Sequence, residues 1–151
     1  MRTMGIRPSG TTLARMSDSA VWPVLHYDDT RAALRFLVDV LGFEQHVAVC
    51  DEGGELVHAE VRWPEGGMVV FGSTTHKDSV HGRMPAGVNA VYIATEEVDA
   101  MYERARHAGA TVAEQPQEAR LGSGERSYLV TIEDPERNLW TFGTYRGTRR
   151  S

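Results

Sequence analysis

The stretch from Trp63 to Gly72 lines up without a gap on the stretch from Asp134 to Gly143, so that Pro, Glu, Phe and Gly each recur at a spacing of 71 residues. Pro64 falls on Pro135, Glu65 on Glu136, Phe71 on Phe142 and Gly72 on Gly143. Each copy reads as a Pro-led turn followed by a short apolar strand. A chain of 151 residues holding two copies of one unit is expected to fold as two similar halves around a shared core.

The sequence in front of each copy supports this. In the first, Val21 to Tyr27 is short, β-branched and aromatic, and reads as a strand. Asp28 or Asp29 is the expected helix N-cap. Ala33, Leu34, Leu37, Val38 and Leu41 follow helical spacing, and Gly42 stands where a helix ends. Strands are expected over Phe43 to Cys50, Leu56 to Trp63 and Met68 to Gly72, with a hairpin turn at Asp51 to Gly54. A polar linker, Ser73 to Gly87, leads to the second copy. There a strand over Val88 to Ala94 precedes a helix over Glu97 to Ala108, stopped by Gly109. Strands then begin at Thr111 to Ala113, run over Ser127 to Ile132, and close over Leu139 to Thr144, with Gln115 to Gly124 read as a loop. The stop glycines Gly42 and Gly109 are only 67 apart, so the second copy carries four extra residues in that region. The order is β-α-β-β-β twice, an α+β fold, with units over residues 20–72 and 87–146. Residues 1–19 and 147–151 read as flexible tails, and Met16 is a candidate start.

Net charge is −5, but the distribution matters more. Both tails are Arg-rich, and residues 20–145 stand at −10. A body this acidic is expected to repel nucleic acid and to attract small cations. No apolar run approaches the roughly 20 residues of a membrane span. With one cysteine, Cys50, there is no internal disulfide, which suits a cytoplasmic setting. Cys50 ends a Val-rich strand pattern and is expected to be a buried structural thiol.

The two units, Leu41-Gly42-Phe43 after the first helix, Ala108-Gly109-Ala110 after the second, and the run from Asp134 to Tyr145 together resemble the vicinal oxygen chelate superfamily, which includes glyoxalases, extradiol dioxygenases and bleomycin-resistance proteins. The resemblance covers about residues 20–146. Arg137 stands where the family's turn usually has Gly, which suggests that this position does not need a positive φ here. The resemblance implies sheets curled around a concave cavity, and a homodimer whose pockets take both chains. It also implies metal ligands on the first and last strands of each unit of the metal enzymes. Carried over, those positions fall at Trp22, Val70, Ala90 (or Asn89) and Thr141. Trp, Val, Ala and Thr do not supply the nitrogen and carboxylate donors that a catalytic divalent metal takes, so no metal and no cofactor are expected.

Strand alternation puts Trp22 on one face with Val24 and His26, and Tyr92 with Ala90. Trp22 and Tyr92 are candidates to stack against a planar or cationic ligand, although core packing would equally account for them. His58, Glu60 and Arg62 form the polar face of the third strand. There His58 and Glu60 are candidates for ligand anchors or an acid–base pair, or for an ordinary solvated sheet face. The candidate ligand-binding set is Trp22, His26, His58, Glu60, Tyr92 and Thr141. His76 and His81 fit no ligand-helix spacing, and Gly122-Ser123-Gly124 lacks the Lys and the helix of a phosphate loop. These features point to a metal-free protein that binds a small aromatic and cationic molecule. The alternatives are a lyase, isomerase or dioxygenase with an atypical metal site from His26, His58 and Glu60, a metal-free acid–base enzyme using His58 and Glu60, and a domain with a structural or interaction role.

Overall fold

The computed structural model describes residues 19–75 and 79–147. Both tails lie largely outside these residues, and so does His76.

Alternation along the strands decides the layering. In β1 (Val24–Tyr27), Leu25 and Tyr27 are buried, and in β3 (Leu56–Arg62) so are Ala59 and Val61. Val69 and Phe71 of β4 (Met68–Ser73) complete this inner face. Between β1 and β2 (Glu44–Cys50) runs α1 (Thr30–Arg35), which continues as a π-helical segment, Phe36–Leu41. Of the two expected caps it is Asp29 that acts, its carboxylate accepting from the Ala32 N–H at 3.0 Å. Gly42 ends the helix at φ +95°, and an added Cβ there would come within 2.7 Å of the Arg104 guanidinium.

The second unit repeats the order: β5 (Ala90–Ala94), α2 (Val98–His107), β6 (Thr111–Arg120), β7 (Arg126–Glu133) and β8 (Leu139–Gly143). Each unit makes a four-stranded sheet, ordered β1-β4-β3-β2 and β5-β8-β7-β6. In each, the first and last strands run parallel and the other pairs antiparallel.

The helices and the inner faces of both sheets form one apolar cluster. Phe43 contacts both Trp63 and Trp140, and Trp63 contacts Phe142, with ring centroids 5.1–5.7 Å apart. The opposite faces of the two sheets are therefore turned away from the shared core.

Four local expectations are corrected. The segment from Gln115 to Arg120 is strand, not loop. β6 is an edge strand bonded to β7 alone, so Pro116 can sit in it at a register shift without losing a needed ladder bond. The four extra residues are absorbed by those shifts and a longer hairpin. Cys50 is exposed, because β2 is also an edge strand and has almost no buried side. The first strand begins at Val24, leaving Trp22 ahead of it. Arg137 does adopt a positive φ, +79°.

Both repeat turns make the same backbone bonds. Trp63 N–H donates to Gly67 O and Gly66 N–H to Trp63 O, while Asp134 N–H donates to Asn138 O and Arg137 N–H to Asp134 O, all at 2.8–3.0 Å. The left-handed position falls on Gly66 in one turn and on Arg137 in the other. What holds Arg137 there is Asp134, which is 4% exposed. Its Oδ1 accepts from the backbone of Glu136 and Asn138, and its Oδ2 from the Tyr27 hydroxyl at 2.6 Å, the Trp140 indole at 3.0 Å and the Asn138 amide at 3.0 Å. Burial, and then the neighbouring carboxylate, push the Tyr27 phenol above its ordinary pKa, so it stays a proton donor. The next residue but one, Glu136, accepts from the Asp28 and Asp29 N–H groups. This single turn thus ties the second unit to the entry of α1.

Candidate functional site

Strand register assembles the outward faces row by row. In the first sheet Val24, Val70, Glu60 and Val47 lie side by side, and the next row is His26, Gly72, His58 and Val49. Because Gly72 has no side chain, a depression remains between the two imidazoles. A cavity of about 330 Å³ opens there, lined by Val24, His26, His58, Val70 and His81.

His58 Nε2 lies 2.9 Å from Glu60 Oε2. A carboxylate only accepts, so the proton of this bond belongs to His58. His26 is buried, and its Nε2 lies 3.3 Å from Nδ1 of His81. Burial first, and then the charge of His81, hold the His26 pKa below its ordinary value. His81 sits on a 3₁₀ turn, Val80–Arg83, in the linker. Sequence reasoning did not place it in the site, since a contact across 55 positions between a loop and a strand leaves no periodic signal.

In the second sheet the row is Tyr92, Thr141, Thr131 and Glu114. Tyr92 is 41% exposed, yet its hydroxyl is pinned. It donates to the Tyr145 carbonyl at 2.8 Å and lies 3.1 Å from Ser127 Oγ. The ring leans over Gly143, where a Cβ would come within 2.6 Å of the phenol oxygen. The glycine that leaves a hollow in the first sheet is thus the seat of an aromatic ring in the second. Thr131 Oγ1 bonds both Glu114 and Thr141 at 2.7 Å. Glu114 was also missed, because register shifts on both sides of it break the two-residue alternation.

Trp22 is separated from these rows. It precedes β1, is 44% exposed, and donates its indole N–H to the Ser19 carbonyl. The residues beside Val70 and Thr141 are Val24 and Tyr92 rather than Trp22 and Ala90, two residues further along each strand. Neither Val24 nor Val70 can ligate a metal, Thr141 is a weak neutral donor, and the Tyr92 phenol is already hydrogen-bonded. The donor set does not fit a divalent catalytic metal. Among the described residues no group of three or more His, Cys, Asp or Glu side chains is arranged to hold one. No helix among them is long and apolar enough to cross a membrane.

Residues 20–142 match the profile of the Glyoxalase/Bleomycin resistance protein/Dioxygenase superfamily. No curated protein matches the chain. Among solved structures it is similar to TioX from Micromonospora sp. ML1, at 25% identity and TM-score 0.70 over 85% of this chain and 99% of that one. It is also similar to TnmS3, an antibiotic binding protein from Streptomyces sp. CB03234, at 21% identity and TM-score 0.62, covering 85% and 97% of the two chains. A lactoylglutathione lyase from Agrobacterium tumefaciens shares the fold as well, at 22% identity and TM-score 0.59 over 83% and 92%.

Proposed function

The chain belongs to the glyoxalase/bleomycin resistance protein/dioxygenase superfamily, and from that premise we propose that it is a metal-free protein that binds a small planar, cationic molecule on its outward sheet faces. The observation that carries this reading is the exposure of Val24 and Tyr92, 44% and 41%, directly beside Val70 and Thr141, the positions at which the resemblance places metal ligands on the last strands. Apolar and aromatic surface there supplies contact area. Glu60 and the acidic body supply attraction for positive charge. His26, His58 and Thr141 supply polar anchors around it, and Trp22 flanks the first strand. The antibiotic-binding neighbour has a fold of this kind, which is consistent with small-molecule sequestration.

Each outward face is half of a cup, and a ligand on one face alone would keep one side in water. We therefore infer a homodimer in which the first sheet of one copy covers the second sheet of the other. Isothermal titration with a planar cationic dye, alongside sedimentation equilibrium, tests both points. Saturable binding by a dimer is expected. Binding that is undiminished in Tyr92→Ala, or complete in a monomer, would overturn the reading.

The bond between His58 and Glu60 favours a second reading, metal-free acid–base catalysis. In that case Glu60→Gln would abolish turnover of a substrate while leaving its binding largely intact.

A further inference from the structure

We propose that the second sheet selects ligands that donate hydrogen bonds, and that Thr131 and Glu114 are the residues that impose this selection through Thr141. The inference rests on the binding-protein reading above and adds the hydrogen-bonding class of the ligand.

Glu114 as a carboxylate can only accept. Thr131 has one hydroxyl proton, and its oxygen lies 2.7 Å from Glu114 Oε1, so that proton is committed. Thr131 Oγ1 also lies 2.7 Å from Thr141 Oγ1. With its own proton spent, Thr131 must accept there, and Thr141 must donate. The Thr141 hydroxyl then presents only lone pairs to anything above the sheet. Thr131 is 2% exposed, so water cannot readily replace its partners and let the order reverse.

Tyr92, in the same row, obeys the same logic. Its one proton goes to the Tyr145 carbonyl. Ser127 Oγ, which accepts from the Tyr145 N–H, therefore donates to the phenol oxygen. This row offers an aromatic ring and acceptor oxygens, with the protons of Tyr92, Thr131 and Thr141 all committed within the sheet. A ligand carrying N–H groups on a planar ring satisfies it. The same ring with those groups alkylated leaves Thr141 desolvated and unpaired, which costs affinity.

The test compares proflavine, whose exocyclic amines donate, with acridine orange, the same cationic ring with those amines dimethylated. Affinities are measured by fluorescence titration on the full chain. Wild-type protein is expected to favour proflavine by about tenfold, the factor expected for one satisfied hydrogen bond. Thr141→Val removes the acceptor at nearly constant size, and the preference should fall to within about twofold. Thr131→Val lets the Thr141 hydroxyl donate outward as well as accept, so the preference should narrow but persist, while Thr131→Ser, which keeps the relay, should retain it in full. A steric objection to the methyl groups would leave the preference intact in Thr141→Val, and that result would overturn the proposal. So would equal binding of both dyes to the wild type, although the binding-protein reading would then survive. If neither dye binds, that reading fails first, and this one with it.

Discussion

The two repeat turns share their backbone hydrogen bonds and meet the cost of a positive φ in opposite ways. At Trp63 to Gly67 the left-handed position is given to Gly66, which has no Cβ to strain. The residue that opens the turn, Trp63, packs among Phe43 and Phe142. At Asp134 to Asn138 the same position is given to Arg137, and the turn is held instead by a buried carboxylate with five donor groups around it. One copy relies on backbone freedom and apolar contact, the other on hydrogen bonding. A geometry can therefore persist while the interactions behind it change, provided the surroundings over-determine the strained residue.

The largest expected effect is on the hydrogen-bonded turn. Asp134→Ala leaves the Tyr27 hydroxyl and the Trp140 indole buried without their acceptor. It should cost about 2–6 kcal/mol by urea unfolding, since each of the two stranded donors costs roughly 1–3 kcal/mol. A loss below about 1 kcal/mol would mean that the turn is held by something other than this carboxylate.

The paired glycines after the turns provide the next comparison. A Cβ on Gly143 would collide with Ser127 Oγ and Tyr92 at 2.6 Å, whereas one on Gly72 would meet only the Val57 carbonyl at 3.1 Å. Gly143→Ala is expected to destabilise by about 1–3 kcal/mol, the usual cost of overpacking. It should also displace the Tyr92 ring, seen as altered tyrosine fluorescence, and Gly72→Ala should cost clearly less. Equal costs at the two sites would show that Tyr92 is not seated on Gly143.

Arg137→Gly should stabilise the protein, by about 0.5–1 kcal/mol, because relief of the positive φ outweighs the added freedom of the unfolded chain. The reciprocal change, Gly66→Arg, should destabilise it by a comparable amount. If Arg137→Gly destabilises instead, the arginine side chain holds the turn as well as straining it.

The smallest effect distinguishes the two outward faces by pH. His26 has a folded-state pKa below its ordinary value of 6.5, so the unfolded chain binds the proton more readily. Its contribution to stability is full above pH 6.5 and is lost as pH falls from there towards the folded-state value. Urea midpoints should drop over that range. His81→Asn should reduce the drop without removing it, because burial is the larger cause of the shift and the charge of His81 the smaller. An unchanged pH profile in His26→Asn would show that other groups carry the dependence.

Much of this architecture was legible beforehand, for identifiable reasons. The 71-residue repeat exposed the doubled β-α-β-β-β order because Pro, Phe and Gly fill positions that tolerate few substitutes. The Asp28-Asp29 pair, Gly42 and Gly109 mark helix ends through capping chemistry that acts within a few residues, and the structure selects Asp29 of the pair. The edges were harder to read. Much of β6 reads as a loop because Pro116 and the register shifts hide its alternation, and Cys50 reads as buried because a Val-rich pattern does not say whether a second layer covers it. His58 and Glu60 were visible as the polar face of a strand. His81 and Glu114 were not, since one arrives from a linker and the other is turned by irregular backbone.

The sequence by itself determined the two units, their helices and the residue chemistry along each outward face. These depend on periodicity, local capping and side-chain identity, all of which are properties of short stretches of chain. Only the tertiary structure decided which residues share a row. It set Val24 rather than Trp22 beside Val70, brought His81 to His26, aligned Glu114, Thr131, Thr141 and Tyr92, and held Arg137 in a conformation its own side chain disfavours. Strand register and contacts between distant segments depend on packing the whole core at once, and a one-residue change in register would turn every side chain of a strand to the other face.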